Sequence, residues 1–476
     1  MTTGTLQKSP LDQLKVYAQR QFVPAGARLT EADEIAVYYK QLINRPIHSL
    51  KELKRWILDR SELETALDQV GSVLYIKMTC QTDDKEKALS YTRFIEHIVP
   101  VIKPLDDELN QIYLKKVKAL KFKDKKFSLY TKTIQTDAAL FVQENVPLQT
   151  KVDLLSQEYQ TICGAMMVQF EGQERTLPEM GKYLLETDRN LRERAWRATA
   201  ERRLKDKDKL EKIFDQMLKL RHQIALNAKC KNFRDYKFKS LHRFDYTPRD
   251  CKAYHQSAEE VILPLWAKIL ERRKGQMKLK AFRPWDMAVD PFDRAPLKPF
   301  AKADELIGGC FKIFKAVDPL FGKQFQEMID LRLLDLESRK GKAPGGYQSC
   351  LSEARKPFIF MNAVGLESDV RTLLHEGGHA FHSFACSDQP MASYRHGPME
   401  FNEVASMAME LLGGEYLEHF YAKPEAKRSK EEHLEDIVYT LIWVATIDCF
   451  QHWIYEHPTH NQEERALAWI KIRKRF

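Results

Sequence analysis

The segment His375-Glu376-Gly377-Gly378-His379 restricts the fold more than any other stretch of this chain. Two histidines four residues apart lie about 40° apart around a helix and one turn along it, so helical backbone brings both rings to one metal ion. The flanking sequence agrees with a helix. Ser368 or Asp369 is placed to cap it over 366–384, and Val370, Leu373, Leu374, Phe381 and Phe384 supply its apolar faces. Gly377 and Gly378 oppose it, because each costs a helix interior about 1 kcal/mol relative to alanine. A helix carries such a pair where a neighbouring backbone or a substrate must come close.

With Glu376 between the histidines, the segment has the H-E-x-x-H pattern of zinc peptidases, in which the glutamate handles the proton of a water at the metal. Catalytic zinc takes three protein ligands and leaves one position open. Glu403, in the helical segment Phe401 to Leu412, is the expected third ligand. His382 is its rival, seven residues from His375, but a ligand two turns down must stretch past His379, so His382 is assigned to packing or to orienting the ligands. The Gly and distal His of the metzincin pattern are absent, since positions 382 and 385 are His and Ala. Glu410, seven residues after Glu403, is placed to hydrogen-bond and orient a liganding imidazole.

The run from Asp369 to His382, followed by Glu403-Val404-Ala405-Ser406, resembles the oligoendopeptidase F and thimet oligopeptidase family of zinc metallopeptidases. The likeness extends to Lys342-Ala343-Pro344-Gly345-Gly346-Tyr347, Pro357-Phe358-Ile359-Phe360-Met361-Asn362 and Asp245-Tyr246-Thr247-Pro248. It covers most of 166–476 and only loosely the first third. The resemblance implies a mainly α, zincin-type body with a small β-sheet beside the metal helix. It also implies one Zn2+ per chain and hydrolysis of short peptides, with Glu376 as catalytic base and His375, His379 and Glu403 as ligands. The family's peptide-binding strand corresponds to Phe358, Ile359, Phe360 and Asn362, expected here as an exposed edge, with Gly345-Gly346-Tyr347 as a mobile loop over it. Relatives continue past the position of Phe476 into helices bearing His and Tyr residues that contact substrate. The chain therefore reads as a C-terminally truncated member, in which metal binding is better supported than turnover. The alternative is a catalytically impaired, zinc-binding remnant that serves as an interaction protein.

Composition narrows the class. The chain has 476 residues and 43% hydrophobic content, ample for a large core. No apolar run of the roughly 18–20 residues that span a bilayer stands out, and Met1 to Arg20 has no signal-peptide core. Eight cysteines without a C-x-x-C pair read as reduced thiols of a cytoplasmic protein, which argues against a cysteine-based zinc site. The net charge of +9 leaves open an anionic partner. Lys115 to Lys126, with seven lysines and Phe122 among them, is the segment that would bind nucleic acid, a reading ranked well below a solvated helix end.

In chain order, 1–29 reads as a lead-in and 30–43 as a helix, Ser49-Leu50-Lys51-Glu52 is a capping box that opens the next one, and 61–79, 84–99 and 104–120 are further helices, forming an N-terminal α-helical lobe over 1–165. The catalytic region is assigned to 166–476. It opens with a hairpin over 166–177 and a long helical tract from Pro178 to Asn227, broken near Lys205. Thr247 and Pro248 open a helix to about Arg272. A helix over 302–329, strands at 332–336, 346–350 and 357–361, and a late helix over 431–455 complete the reading.

Overall fold

A computed structural model describes residues 9–476. It is mainly α, with one two-stranded and one three-stranded sheet among the described residues. The chain forms two compact units. One comprises 1–165, 302–363 and 368–419, the other 166–301, 364–367 and 420–476. Of the lead-in, residues 1–8 lie outside the described part, and Pro10–Gln13 forms a short 3-10 helix.

In the first unit, Ser49 and Glu52 close a reciprocal capping box that starts a 31-residue helix, Leu50–Cys80. The sequence reading separates the helix opened by this box from another over 61–79, but residues 53–60 continue into the latter without a break. Their apolar members, Leu53, Trp56 and Ile57, are buried against Ile35, Tyr39 and Leu42 of the Ala32–Ile43 helix. Trp56 also donates its indole N–H to Leu42 O at 3.0 Å. One helix was expected over 302–329, but the chain forms two, Ala303–Val317 and Pro319–Asp330. Pro319 accounts for the break: it disfavours helical backbone at the preceding residue, and Asp318 is extended at φ −153°. Asp318 then caps the second helix through Leu320 N–H.

The sheet beside the metal helix corrects one expectation. With β1 (Met167–Phe170) and β2 (Gln173–Thr176) forming the hairpin, its strands are β3 (Leu334–Glu337), β4 (Tyr347–Leu351) and β5 (Lys356–Ala363). Their order is β3-β5-β4, with β3 parallel and β4 antiparallel to β5. The strand carrying Phe358 to Asn362 is therefore central, not an edge. Its unbroken run Phe358-Ile359-Phe360-Met361 is buried at every position, as expected of a strand covered on both faces.

The second unit holds the hairpin, whose turn residues Glu171 and Gly172 both take positive φ, as a tight two-residue turn requires. Helices Arg189–Leu204 and Lys207–Asn227 follow, broken at Lys205-Asp206. Asp286 and Asp290, in the irregular stretch that follows Gln276, are fully buried and paired with Arg189 and Arg192, and with Arg294 and Arg428. The helix Lys423–Glu456 is long and apolar enough, by length and composition, to cross a membrane, where the sequence reading saw no such run. Here it packs on Phe233–Ser240, Pro248–Ser257, Leu263–Gln276 and Gln462–Arg475, burying Arg428, His433 and His452.

The lysine-rich 115–126 segment presents no free stacking platform. Phe122 is buried, its ring centroid lies 5.1 Å from that of Phe127, and Lys54 sits over both rings.

Candidate metal centre

The helix Glu367–Ala385 carries the two histidines. It starts at Glu367, so Ser368 and Asp369 lie inside its first turn rather than ahead of it as caps. The glycine pair has a packing cause. A Cβ on Gly378 would sit 2.5 Å from Ala405 O and 2.6 Å from Ser406 Cα, and one on Gly377 would sit 2.4 Å from the Phe314 ring. The approach at Gly378 is therefore by backbone. It brings the helix Met399–Gly414 against the first helix at the level of the imidazoles, which places Glu403 among them. Gly378→Ala is expected to force these backbones apart and to cost about 1–3 kcal/mol, as overpacking does. Thermal unfolding and zinc titration check this; an unchanged melting temperature with unchanged affinity would refute it.

Glu403 Oε2 lies 3.2 Å from His375 Nε2 and 3.5 Å from His379 Nε2, and the donor atoms of all three residues lie within 4.8 Å of one another. The imidazole rings stand nearly perpendicular, centroids 4.9 Å apart. Ser406 Oγ donates to Glu403 Oε2 at 2.8 Å and steadies the carboxylate. His375 Nδ1 is 2.7 Å from Glu410 Oε1. A carboxylate only accepts, so Nδ1 carries the ring proton and Nε2 presents its lone pair to the site. His382 is outside this group of donors.

Glu376, between the histidines, is 6% exposed, and its Oε2 has no hydrogen-bond partner. Burial pushes its carboxyl up to about 7, with repulsion from Glu403 adding to this and attraction to His375 and the Gln348 N–H opposing it. Gly346 lies alongside, where a Cβ would come within 3.6 Å of Glu376 Oε1.

The residues expected to bind substrate fall mainly in the core. Phe358, Ile359 and Phe360 are at most 4% exposed. Tyr347 stacks on Phe360 with centroids 4.7 Å apart, and its hydroxyl meets Thr79 Oγ1 at 2.7 Å. Asn362 Nδ2 donates to Ala343 O and Gly345 O at 2.9 and 2.8 Å, tying down the loop that precedes β4. Sequence reasoning did not find the roles of Phe314, Ser406 and the Gln348 main chain. Phe314 and Gln348 act from other elements and have no local signal, whereas Ser406 lies three residues after Glu403 on the same helix, a spacing the sequence does show.

Residues 183–476 match peptidase family M3, and 27–141 match the Peptidase M3 N-terminal domain. The chain belongs to peptidase family M3. Among curated M3 relatives, Oligoendopeptidase F, chromosomal, of Lactococcus lactis subsp. cremoris is 30% identical over 155 residues, 31% of this chain and 24% of that protein. Oligopeptidase PepF of Bacillus subtilis (strain 168) is 28% identical over 159 residues, 33% of this chain and 23% of that protein. These matches thus span about a quarter of each relative's length. The M3 chain also superposes on solved structures. PZ peptidase A with an inhibitor gives a TM-score of 0.88 at 24% identity, covering 98% of this chain and 81% of that one. A structure described as an oligoendopeptidase F from Bacillus anthracis gives 0.88 at 24% identity, covering 96% and 84%. At this identity the likeness establishes a shared fold.

Proposed function

We propose that this M3 chain is a zinc-dependent endopeptidase that cleaves short peptides. The observation that carries the reading is the meeting of His375 Nε2, His379 Nε2 and Glu403 Oε2 beside a buried carboxylate with an unpartnered oxygen. Two neutral imidazoles and one carboxylate are the donor set of catalytic zinc sites that keep a position open. His375, His379 and Glu403 would hold the ion, and Glu410 and Ser406 would orient His375 and Glu403. When bound, zinc acidifies water and polarises the scissile carbonyl.

The chain's own groups handle protons and substrate. Glu376 Oε2 accepts the proton of the attacking water and returns it to the leaving amine. A carboxyl pushed up to about 7 suits both directions near neutral pH. Of the sheet's two outer strands, β4 is the one whose main chain meets the site, its Gln348 N–H reaching Glu376. An extended peptide lying along β4 would pass this carboxylate and be held through main-chain bonds, with little dependence on its sequence. That assigns substrate docking to β4 rather than to the central β5. The relatives' names support short peptides as substrates.

A fluorogenic oligopeptide incubated with the chain, with and without a chelator, tests the proposal. Cleavage is expected to disappear with the chelator and to return with added zinc. Stoichiometric zinc without cleavage of any oligopeptide would sink the peptidase reading.

A further inference from the structure

A second cluster of donor atoms lies wholly within the other unit. On the helix Pro248–Ser257, Cys251 and His255 are four residues apart; on Lys423–Glu456, so are Asp448 and His452. Each pair shares one face of its helix, and the two helices pack together. The donor atoms of Cys251, Asp448 and His452 all lie within 4.8 Å of one another. His255 Nε2 is 2.6 Å from Asp448 Oδ2, and the rings of His255 and His452 stand 5.5 Å apart at 87°.

We propose that Cys251 Sγ, the Asp448 carboxylate and His452 Nε2 form a second transition-metal site, suited to zinc, with His255 holding the carboxylate in place.

The His255–Asp448 bond alone would be an ordinary structural pair, but His452 does not fit that account. It is 4% exposed, and its Nε2 has no hydrogen-bond partner, with Asp448 Oδ2 at 3.4 Å. A buried, unsatisfied ring nitrogen is costly. A cation between the three donors satisfies Nε2, the carboxylate and the sulfur together. One thiolate and one carboxylate supply two negative charges to a divalent cation. Thiolate and imidazole donors favour zinc over magnesium or calcium, which take oxygen ligands.

His255 is engaged on both sides, Nε2 with Asp448 and Nδ1 3.1 Å from Cys449 Sγ. It is therefore a positioning residue and not a fourth ligand. Cys251 and Asp448 are only partly buried, which leaves a side of the site open to water or another small ligand. Burial, then Asp448, pushes the Cys251 thiol up to about 11, so metal binding must displace its proton and tightens as pH rises. Metallation also puts the ring proton of His452 on Nδ1, opposite Arg234 Nη1 at 3.4 Å. Asp235 and Glu456 already anchor that guanidinium, so this long contact is the one bond lost.

Cobalt(II) titration of the full chain tests the site, because a cobalt–thiolate bond gives a charge-transfer band in the near ultraviolet that a His/His/Glu site lacks. The band is expected in the wild type and in His379→Ala, where the first site is disabled. It should vanish in Cys251→Ser together with one equivalent of bound zinc. His452→Gln should weaken cobalt binding at this site at least tenfold. No thiolate band in the wild type, or a band that survives Cys251→Ser, would overturn the proposal. The wild-type spectrum decides even if a variant fails to fold, and neither result depends on peptide cleavage.

Discussion

Replacing Glu376 by glutamine is expected to lower kcat for oligopeptide cleavage by on the order of 10²- to 10⁴-fold, the range for loss of a general base. Zinc affinity should change little. Glu376 shares a helix turn with the ligands, but its Oε2 has no hydrogen-bond partner in the protein. Glutamine keeps the volume of the side chain and removes only its capacity to take a proton. The loss should appear in kcat more than in KM, because the proton moves in the transition state and not on binding. Steady-state kinetics with a quenched peptide, paired with zinc content, provides the measurement. A Glu376→Gln variant that retains zinc and turns over at the wild-type rate would remove Glu376 from the mechanism.

Asp335→Ala is expected to cause the largest loss of stability, about 3 kcal/mol or more. Lys342 is fully buried, and its ammonium donates to Asp335 Oδ1 at 2.8 Å and to the carbonyls of Asp335 and Glu337 at 3.0 and 2.9 Å. Arg339 grips the same carboxylate through two nitrogens, each at 2.6 Å. Removing one partner of a buried pair strands the other charge, which costs about 3–5 kcal/mol. The Asp335 side chain is 22% exposed, so the lower end is expected. Lys342→Met in the Asp335→Ala background should recover part of the loss, since it removes the stranded ammonium. Urea unfolding of the single and double variants checks both statements, and an unaltered midpoint for Asp335→Ala would refute the first.

The same pair gives a pH signature. Burial alone would raise the Asp335 carboxyl, but the bonds from Arg339 and Lys342 outweigh it and hold the group down at about 2. The ordinary aspartate value is about 3.9. A depressed folded-state value makes the contribution fully present above about pH 4 and lost as pH falls through about 2. The stability gap between wild type and Asp335→Ala should therefore narrow as the solution is acidified across that window. Lys342 begins the loop that leads to Gly346 and Gln348 beside Glu376, so this pair also braces the wall of the metal centre.

Much of the architecture was readable from local chemistry. The Ser49/Glu52 and Thr247/Asp250 boxes mark helix starts that the structure contains, because capping joins groups three residues apart. The Glu171-Gly172 turn and the break near Lys205 are equally local. The split at Asp318-Pro319 was also readable, since proline acts on its neighbour, but the apolar period running through it hid the break. The central place of β5 could have been inferred from its unbroken apolar run; taking it for an edge gave more weight to likeness than to pattern.

Helical spacing alone put His375, Glu376 and His379 on one turn, because an α-helix fixes which side chains share a face within a few residues. It could not say how a carboxylate 24 residues further on reaches them. That depends on the backbone of Ala405 and Ser406 pressing against Gly378, a contact between two helices that neither helix encodes by itself. The Cys251, Asp448 and His452 cluster illustrates the limit more sharply. Its members belong to segments almost 200 residues apart, and no cysteine motif announces them. Short-range periodicity specifies the elements and their faces, whereas convergence of donor atoms from separate elements is set by packing, which only the folded chain decides.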